Sequence, residues 1–144
     1  IPLRLVGSEM CIRDSVEPFG FDDTARSLHS GRREVNDPAA HSLADALQAA
    51  TPAELPFEIN RHFLSEAWSV TDEEIGCAIR FALTELRMVV EPGGAVALAA
   101  VLAGRLKPGS KDTLVVLSGG NVDMTLLATL MRADDRRGPV ERPS

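Results

Sequence analysis

Thr113-Leu114-Val115-Val116-Leu117-Ser118-Gly119-Gly120-Asn121, followed at once by Val122-Asp123-Met124-Thr125-Leu126-Leu127, is the stretch on which the fold turns. An apolar, β-branched run bounded by glycines predicts a buried strand over 113–117. The Ser-Gly-Gly-Asn turn then hands the chain to a helix, with Asn121 or Asp123 as its cap. Ligands in α/β proteins sit beyond the carboxyl ends of strands, so a hydroxyl and two bare glycines there mark a ligand edge. Taken alone, the tetrapeptide also fits an ordinary strand-to-helix turn, where Ser and Gly are common.

The second informative stretch lies just upstream, Val90-Glu91-Pro92-Gly93-Gly94-Ala95-Val96-Ala97-Leu98-Ala99-Ala100. It breaks the chain between two buried helices, places a carboxylate at the break, and supplies glycines that let another group come close. A carboxylate before a helix also stabilises its positive end, which is the plain account of Glu91. The helix after it, Ala95 to Leu106, is rich enough in Ala and Val to be buried nearly all round. The helix before it opens on Thr71-Asp72-Glu73-Glu74, a capping box. Its apolar residues Ile75, Ala78, Ile79, Ala82, Leu83 and Leu86 recur at three and four to give one buried face, and it must stop before Pro92.

Further upstream, Val16-Glu17-Pro18-Phe19-Gly20-Phe21-Asp22-Asp23 sets carboxylates on either side of a turn. Such a turn offers hard oxygen donors of the kind Mg²⁺ or Ca²⁺ takes, although an acidic turn by itself is usually only solvated. A short helix is expected over Asp22 to Ser30 and a weakly helical stretch over Ala39 to Ala50. Thr51 with Pro52 behind it reads as a further helix start, continuing through Ala67, with Trp68-Ser69-Val70 extended.

Composition bounds the function classes. With 144 residues, 44% hydrophobic and 25% charged, the chain fits one small globular domain or part of a larger one. A net charge of −6 argues against a nucleic-acid partner, which needs a basic face. No apolar run approaches the roughly 20 residues that span a bilayer. Cys11 and Cys77 have no metal or redox spacing, so the expected compartment is the reducing cytoplasm, with Cys77 a small core residue. His29, His41 and His62 lack ligand spacing and are expected on the surface.

Together the three motifs resemble, in order and over nearly all of Val16 to Leu130, the serine/threonine dehydratase and serine racemase group of pyridoxal-phosphate enzymes. The resemblance implies an α/β fold: part of the large domain of the tryptophan synthase β-like, fold-type II architecture, with strands flanked by helices. It implies that Ser118 faces the pyridine nitrogen of the cofactor, with Gly119, Gly120, Asn121 and Glu91 lining the pocket. A hydroxyl there does not hold a proton on the ring as a carboxylate would, which moderates the electron sink. It also implies a divalent ion, Mg²⁺ or Ca²⁺, held by the Glu17 and Asp23 carboxylates and the Phe21 main-chain carbonyl. Asp45 matches a family position near the domain interface. The implied reaction is β-elimination from a small hydroxy amino acid, threonine or serine, to a 2-oxo acid and ammonia, in a homo-oligomeric parent. Serine racemase and hydroxyaspartate ammonia-lyase activities use the same apparatus.

The resemblance reaches only the carboxyl-terminal part of a much longer family member. Pyridoxal phosphate needs a lysine, and Lys107 and Lys111 sit together in a turn beside Pro108-Gly109. No phosphate-cradling glycine loop is present, so the chain by itself is expected to be inactive, with no catalytic residue in it. A non-catalytic module that keeps the fold is the competing reading. Ile1 to Ser15 resembles a translated sequencing-adapter tail and is read as foreign to the fold; residues 16–131 form the domain part, and 132–144 a frayed tail.

Overall fold

A computed structural model describes residues 13–105 and 112–134. Two strands, β1 (Asp14–Pro18) and β2 (Glu66–Val70), run parallel, with Val16 opposite Trp68 and Pro18 opposite Val70. Between them lie α1 (Asp23–Ser30), a single 3₁₀ turn (Asp45–Leu47) and α2 (Glu54–Phe63). After β2 come α3 (Asp72–Thr84), α4 (Pro92–Leu102) and α5 (Met124–Asp134). This α/β order, with helices carrying the chain between parallel strands, is the expected class.

The core is the α3–α4 pair laid against the two strands. Ile75, Ala78, Ile79 and Ala82 of α3 are buried, as the three-and-four spacing predicts. They meet Ala95, Leu98, Ala99 and Ala100 of α4, with Val70 of β2 in the same cluster. Ile75 and Ile79 are fully enclosed, and each contributes about 1.5–3 kcal/mol of transfer free energy. Leu86 lies beyond the last turn of α3 and is 42% exposed, so the buried face ends sooner than the periodicity predicts. α5 crosses α3 at Gly76, where an added Cβ would come within 3.1 Å of the Leu130 side chain.

Several expected boundaries move for identifiable reasons. α2 begins at Glu54 rather than at Thr51-Pro52, with the Phe57 amide donating to the Ala53 carbonyl at 2.9 Å. The cause is Pro56. In a helix started at Pro52 its missing N–H would interrupt the hydrogen-bond ladder, whereas in a helix started at Glu54 it falls in the first turn, where no donor is needed. Glu66 and Ala67, expected to be helical, belong to β2. Pro92 opens α4 at its first helical position instead of merely closing the stretch before it. The stretch Ala39 to Ala50 stays irregular apart from the 3₁₀ turn, because side chains claim its backbone groups. Asp72 accepts from the Leu43 amide at 2.9 Å, Gln48 donates to the Ser42 carbonyl at 2.7 Å, and Asn36 donates to the Ala49 carbonyl at 2.8 Å.

The predicted strand over 113–117 is corrected as well. Its alternation is present: Val115 and Leu117 pack on the core, while Leu114 and Val116 are 90% and 66% exposed. A ladder is absent, and among the described residues β1 and β2 form the sheet without it. Side-chain period follows from sequence, but a strand also needs a hydrogen-bonding neighbour. At the amino end, β1 takes in Asp14 and Ser15, so the strand starts inside the stretch read as foreign. At the other end α5 runs on to Asp134, beyond the expected start of the tail. Residues 1–12 and 135–144, Cys11 and the turn carrying Lys107 and Lys111 lie outside the described residues.

Candidate functional site

Glu91 and the Ser118–Asn121 turn are far apart in sequence and adjacent in space. Glu91 occupies the cap position of α4, with the Ala95 amide donating to its carbonyl at 3.1 Å. Its own amide donates to the Gly119 carbonyl at 3.2 Å, and its carboxylate Oε2 accepts from the Asn121 amide at 3.1 Å. The glycines explain how the two segments come so close. Gly119 has φ +74°, and a Cβ there would fall on the Glu91 carboxylate. A Cβ on Gly94 would collide with the Ser118 carbonyl oxygen. The close approach expected of Gly93-Gly94 therefore has a named partner, the Ser118 backbone. On the other side of Gly94's helix turn, Gly93 faces Ala46 and Leu47 of the 3₁₀ turn. This places exposed Asp45 on the turn packed against the start of α4.

Ser118, Gly119, Gly120 and Asn121 are all exposed, and Glu91 is half-buried. The turn is thus held from beneath by α4 while its outer face stays open. Of the two candidate caps for α5, Asp123 is the one used: its carboxylate accepts from the Leu126 amide at 2.8 Å. An exposed glycine edge with a hydroxyl on it leaves room for a flat ring to lie against the turn.

The acidic turn is organised differently. Glu17, at the end of β1, reaches the start of α1, where its two oxygens accept from the Thr24 and Ala25 amides at 3.1 and 3.0 Å. Burial pushes its carboxyl above the usual range, outweighing those hydrogen bonds, and the neighbouring Asp23 charge pushes the same way. Asp23 is 4% exposed and accepts from the Asn36 side-chain amide at 2.6 Å. Asn36 is itself buried and is gripped by Arg26, which also pairs with Asp22 at 3.0 Å. Phe21 is held in the turn by its amide, which donates to the Pro18 carbonyl at 2.9 Å. Among the described residues no group of three or more His, Cys, Asp and Glu side chains is arranged to hold a metal ion. Two carboxylates and a carbonyl on one turn are hard oxygen donors, and what the structure displays there is helix capping and a buried amide–carboxylate bond. Asn36 was not marked by sequence; its only signal is a polar residue before Asp37-Pro38, which reads as a turn.

The remaining polar residues stay outside these two places. His29, His41 and His62 are exposed, as expected. Cys77 is half-buried rather than enclosed, and Arg80 donates to its sulfur at 3.0 Å.

Comparison with known proteins decides the family. The pyridoxal-phosphate dependent enzyme family matches residues 12–119. The chain belongs to that family. Among curated relatives, an L-threonine ammonia-lyase of Thermotoga maritima is 38% identical over 101 residues, 70% of this chain and 25% of its own length. The serine racemase of Dictyostelium discoideum is 32% identical over 120 residues, 81% of this chain and 37% of its own length. Among solved structures, a T.th. threonine deaminase superposes with a TM-score of 0.70 at 34% identity, covering 78% of this chain and 41% of that one. Maize serine racemase superposes with a TM-score of 0.70 at 30% identity, covering 85% and 38%. The fold is therefore the fold-type II arrangement of these family members, of which this chain spans a quarter to about two fifths of the length. No helix among the described residues is long and apolar enough to cross a membrane.

Proposed function

We propose that this chain is the carboxyl-terminal part of the large domain of a pyridoxal-phosphate-dependent ammonia-lyase, which converts threonine or serine to a 2-oxo acid and ammonia by β-elimination. The observation carrying the reading is the docking of the Ser118 turn on the start of α4, which presents a hydroxyl and two glycines on an open edge. When bound, the cofactor supplies the electron sink that lets the substrate's Cα release its proton and its β-hydroxyl depart. Ser118 would offer the cofactor's ring nitrogen a neutral hydroxyl in place of a carboxylate. Gly119 and Gly120 let the turn lie close against Glu91 and the Val89 carbonyl, and Glu91 and Asn121 would line the pocket behind it. The lysine and the phosphate loop belong to other parts of the protein, so this chain alone gives no turnover.

The test is to supply L-threonine and L-serine to the full-length holoprotein and assay 2-oxo acid and ammonia. Formation of both supports the lyase. The serine racemase relative, 32% identical over 81% of this chain, makes racemisation the second reading. D-serine without ammonia establishes it, and neither product overturns both.

A divalent cation at Glu17, Asp23 and the Phe21 carbonyl is part of the proposal, with an activating or structural role only. It is supported by the oxygen-only donor set of the turn. Addition of Mg²⁺ or Ca²⁺ should raise the melting temperature of the wild type and not of a Glu17→Ala/Asp23→Ala variant; equal response in the two dismisses the site.

A further inference from the structure

The geometry points to Glu91 as the positioning residue that fixes where Ser118 sits, an inference resting on the reading of the Ser118 turn as the cofactor's edge. A Ser-Gly-Gly-Asn turn is the least rigid of backbones, because two successive glycines have wide conformational freedom. A hydroxyl that must meet one ring atom needs that freedom removed, since small misplacements of a site group are costly. Among the described residues, one residue makes both hydrogen bonds that tie this turn to the start of α4. Glu91 grips the turn at two points, its amide on the Gly119 carbonyl at 3.2 Å and its carboxylate on the Asn121 amide at 3.1 Å. The carboxylate also fills the volume beside Gly119 that a side chain would otherwise take. On the near side, the Ser118 carbonyl rests against Gly94, in the turn of α4 that Glu91 begins. Gly120 is closed off by the Val89 carbonyl, where a Cβ would come within 3.3 Å. Residues 118 to 121 thus have their shape dictated by residues 89 to 94, with the Glu91 carboxylate as the side-chain element of the brace.

This role differs from lining the pocket. A wall residue acts through its surface and charge, whereas a brace acts through reach. Two variants separate them. Glu91→Gln keeps an oxygen at the same reach and removes the charge. Glu91→Asp keeps the charge, remains a good residue for the start of a helix, and withdraws the oxygen by one methylene.

The experiment uses the full-length holoprotein and reads the cofactor's absorbance and its dissociation constant, with hydrogen exchange at the Asn121 amide as a readout independent of the cofactor. For Glu91→Asp the expected result is a displaced absorbance maximum, faster exchange at Asn121, and cofactor binding weaker by about tenfold, the scale of one hydrogen bond to a charged group. Glu91→Gln should recover most of the affinity and the slow exchange. If Asp behaves as wild type and Gln does not, charge rather than reach matters, and the brace is wrong. If both behave as wild type while Ser118→Ala alters the spectrum, the turn is the cofactor's edge but Glu91 does not position it. If Ser118→Ala leaves spectrum and affinity untouched, the underlying reading of the turn fails, and the inference goes with it.

Discussion

Glu74 and Glu91 stand at the starts of the two helices that form the core, and they hold the chain in opposite ways. Glu74 works locally. Its carboxylate accepts from the Thr71 amide at 2.8 Å, and the Thr71 hydroxyl accepts from the Glu74 amide at 3.2 Å, completing the capping box. It adds one distant partner, Arg105 just past the far end of α4, at 2.7 and 3.1 Å. Glu91 makes no side-chain bond to its own helix and reaches across to the Ser118 turn. The lesson is that a carboxylate at a helix start stabilises secondary structure when its partners are three residues away. When its side chain leaves its own helix uncapped and serves only the backbone of a distant turn, as that of Glu91 does, it holds that turn in place.

The sharpest way to break the contrast is at Gly94. Alanine there drives a methyl group into a backbone carbonyl that cannot swing aside, so the α4–turn junction must part. We expect a loss of about 3 kcal/mol, at the top of the usual range for overpacking, measured by denaturant unfolding. Loss of less than about 1 kcal/mol would mean that the junction is loose.

Glu74→Ala comes next, at about 1–2 kcal/mol, combining a lost cap with a lost ion pair. The ion-pair share is small because the two side chains remain 30% and 28% exposed. The acid dependence should identify its source. Burial raises the Glu74 carboxyl, but Arg105 and the Thr71 bonds outweigh it and leave it below 4.5. Its contribution is therefore complete above that value and fades as pH falls through the lowered one. The difference between wild type and Glu74→Ala should shrink correspondingly in acid, and a difference constant with pH would remove the charge from the account.

Glu17 should show the opposite sign. Its carboxyl is raised above 4.5 by burial, so the native state holds the proton more tightly than the unfolded chain. Stability from this group is greatest below that value and declines as pH rises through the raised one. Relative to Glu17→Gln, the wild type should lose ground between mildly acid and neutral pH, and a gain over that interval would contradict the burial argument. The smallest stability change is expected for Glu91→Ala, about 0.5–1.5 kcal/mol for one exposed hydrogen bond, even though its effect on the site is the larger one. A loss equal to that of Glu74→Ala would erase the distinction drawn between them.

Much of this was legible from residues alone. The capping box at Thr71, the buried face of α3, the enclosed α4 and a cap for α5 at Asn121 or Asp123 each depend on neighbours within a turn or two. The close approach at Gly93-Gly94 was legible as a need, since glycines at a helix start leave room for something. What filled the room was not, because the Ser118 carbonyl arrives from another part of the chain. For the same reason the run 113–117 announced its alternation but not its pairing, and Asn36 announced nothing of its bond to buried Asp23.

Sequence by itself determined the α/β class and the helical core, and three motifs pointed to the family by resemblance. The class and the core are properties of period, capping and composition, which act over a few residues. Tertiary structure decided that Glu91 meets Asn121, that Gly94 carries the Ser118 carbonyl, that Pro56 sets where α2 starts, and that Glu17 serves α1. Each of those is a contact between segments whose separation along the chain carries no local signal. Backbone groups left unpaired at helix ends and turns must find partners, and only the folded chain fixes which ones are within reach.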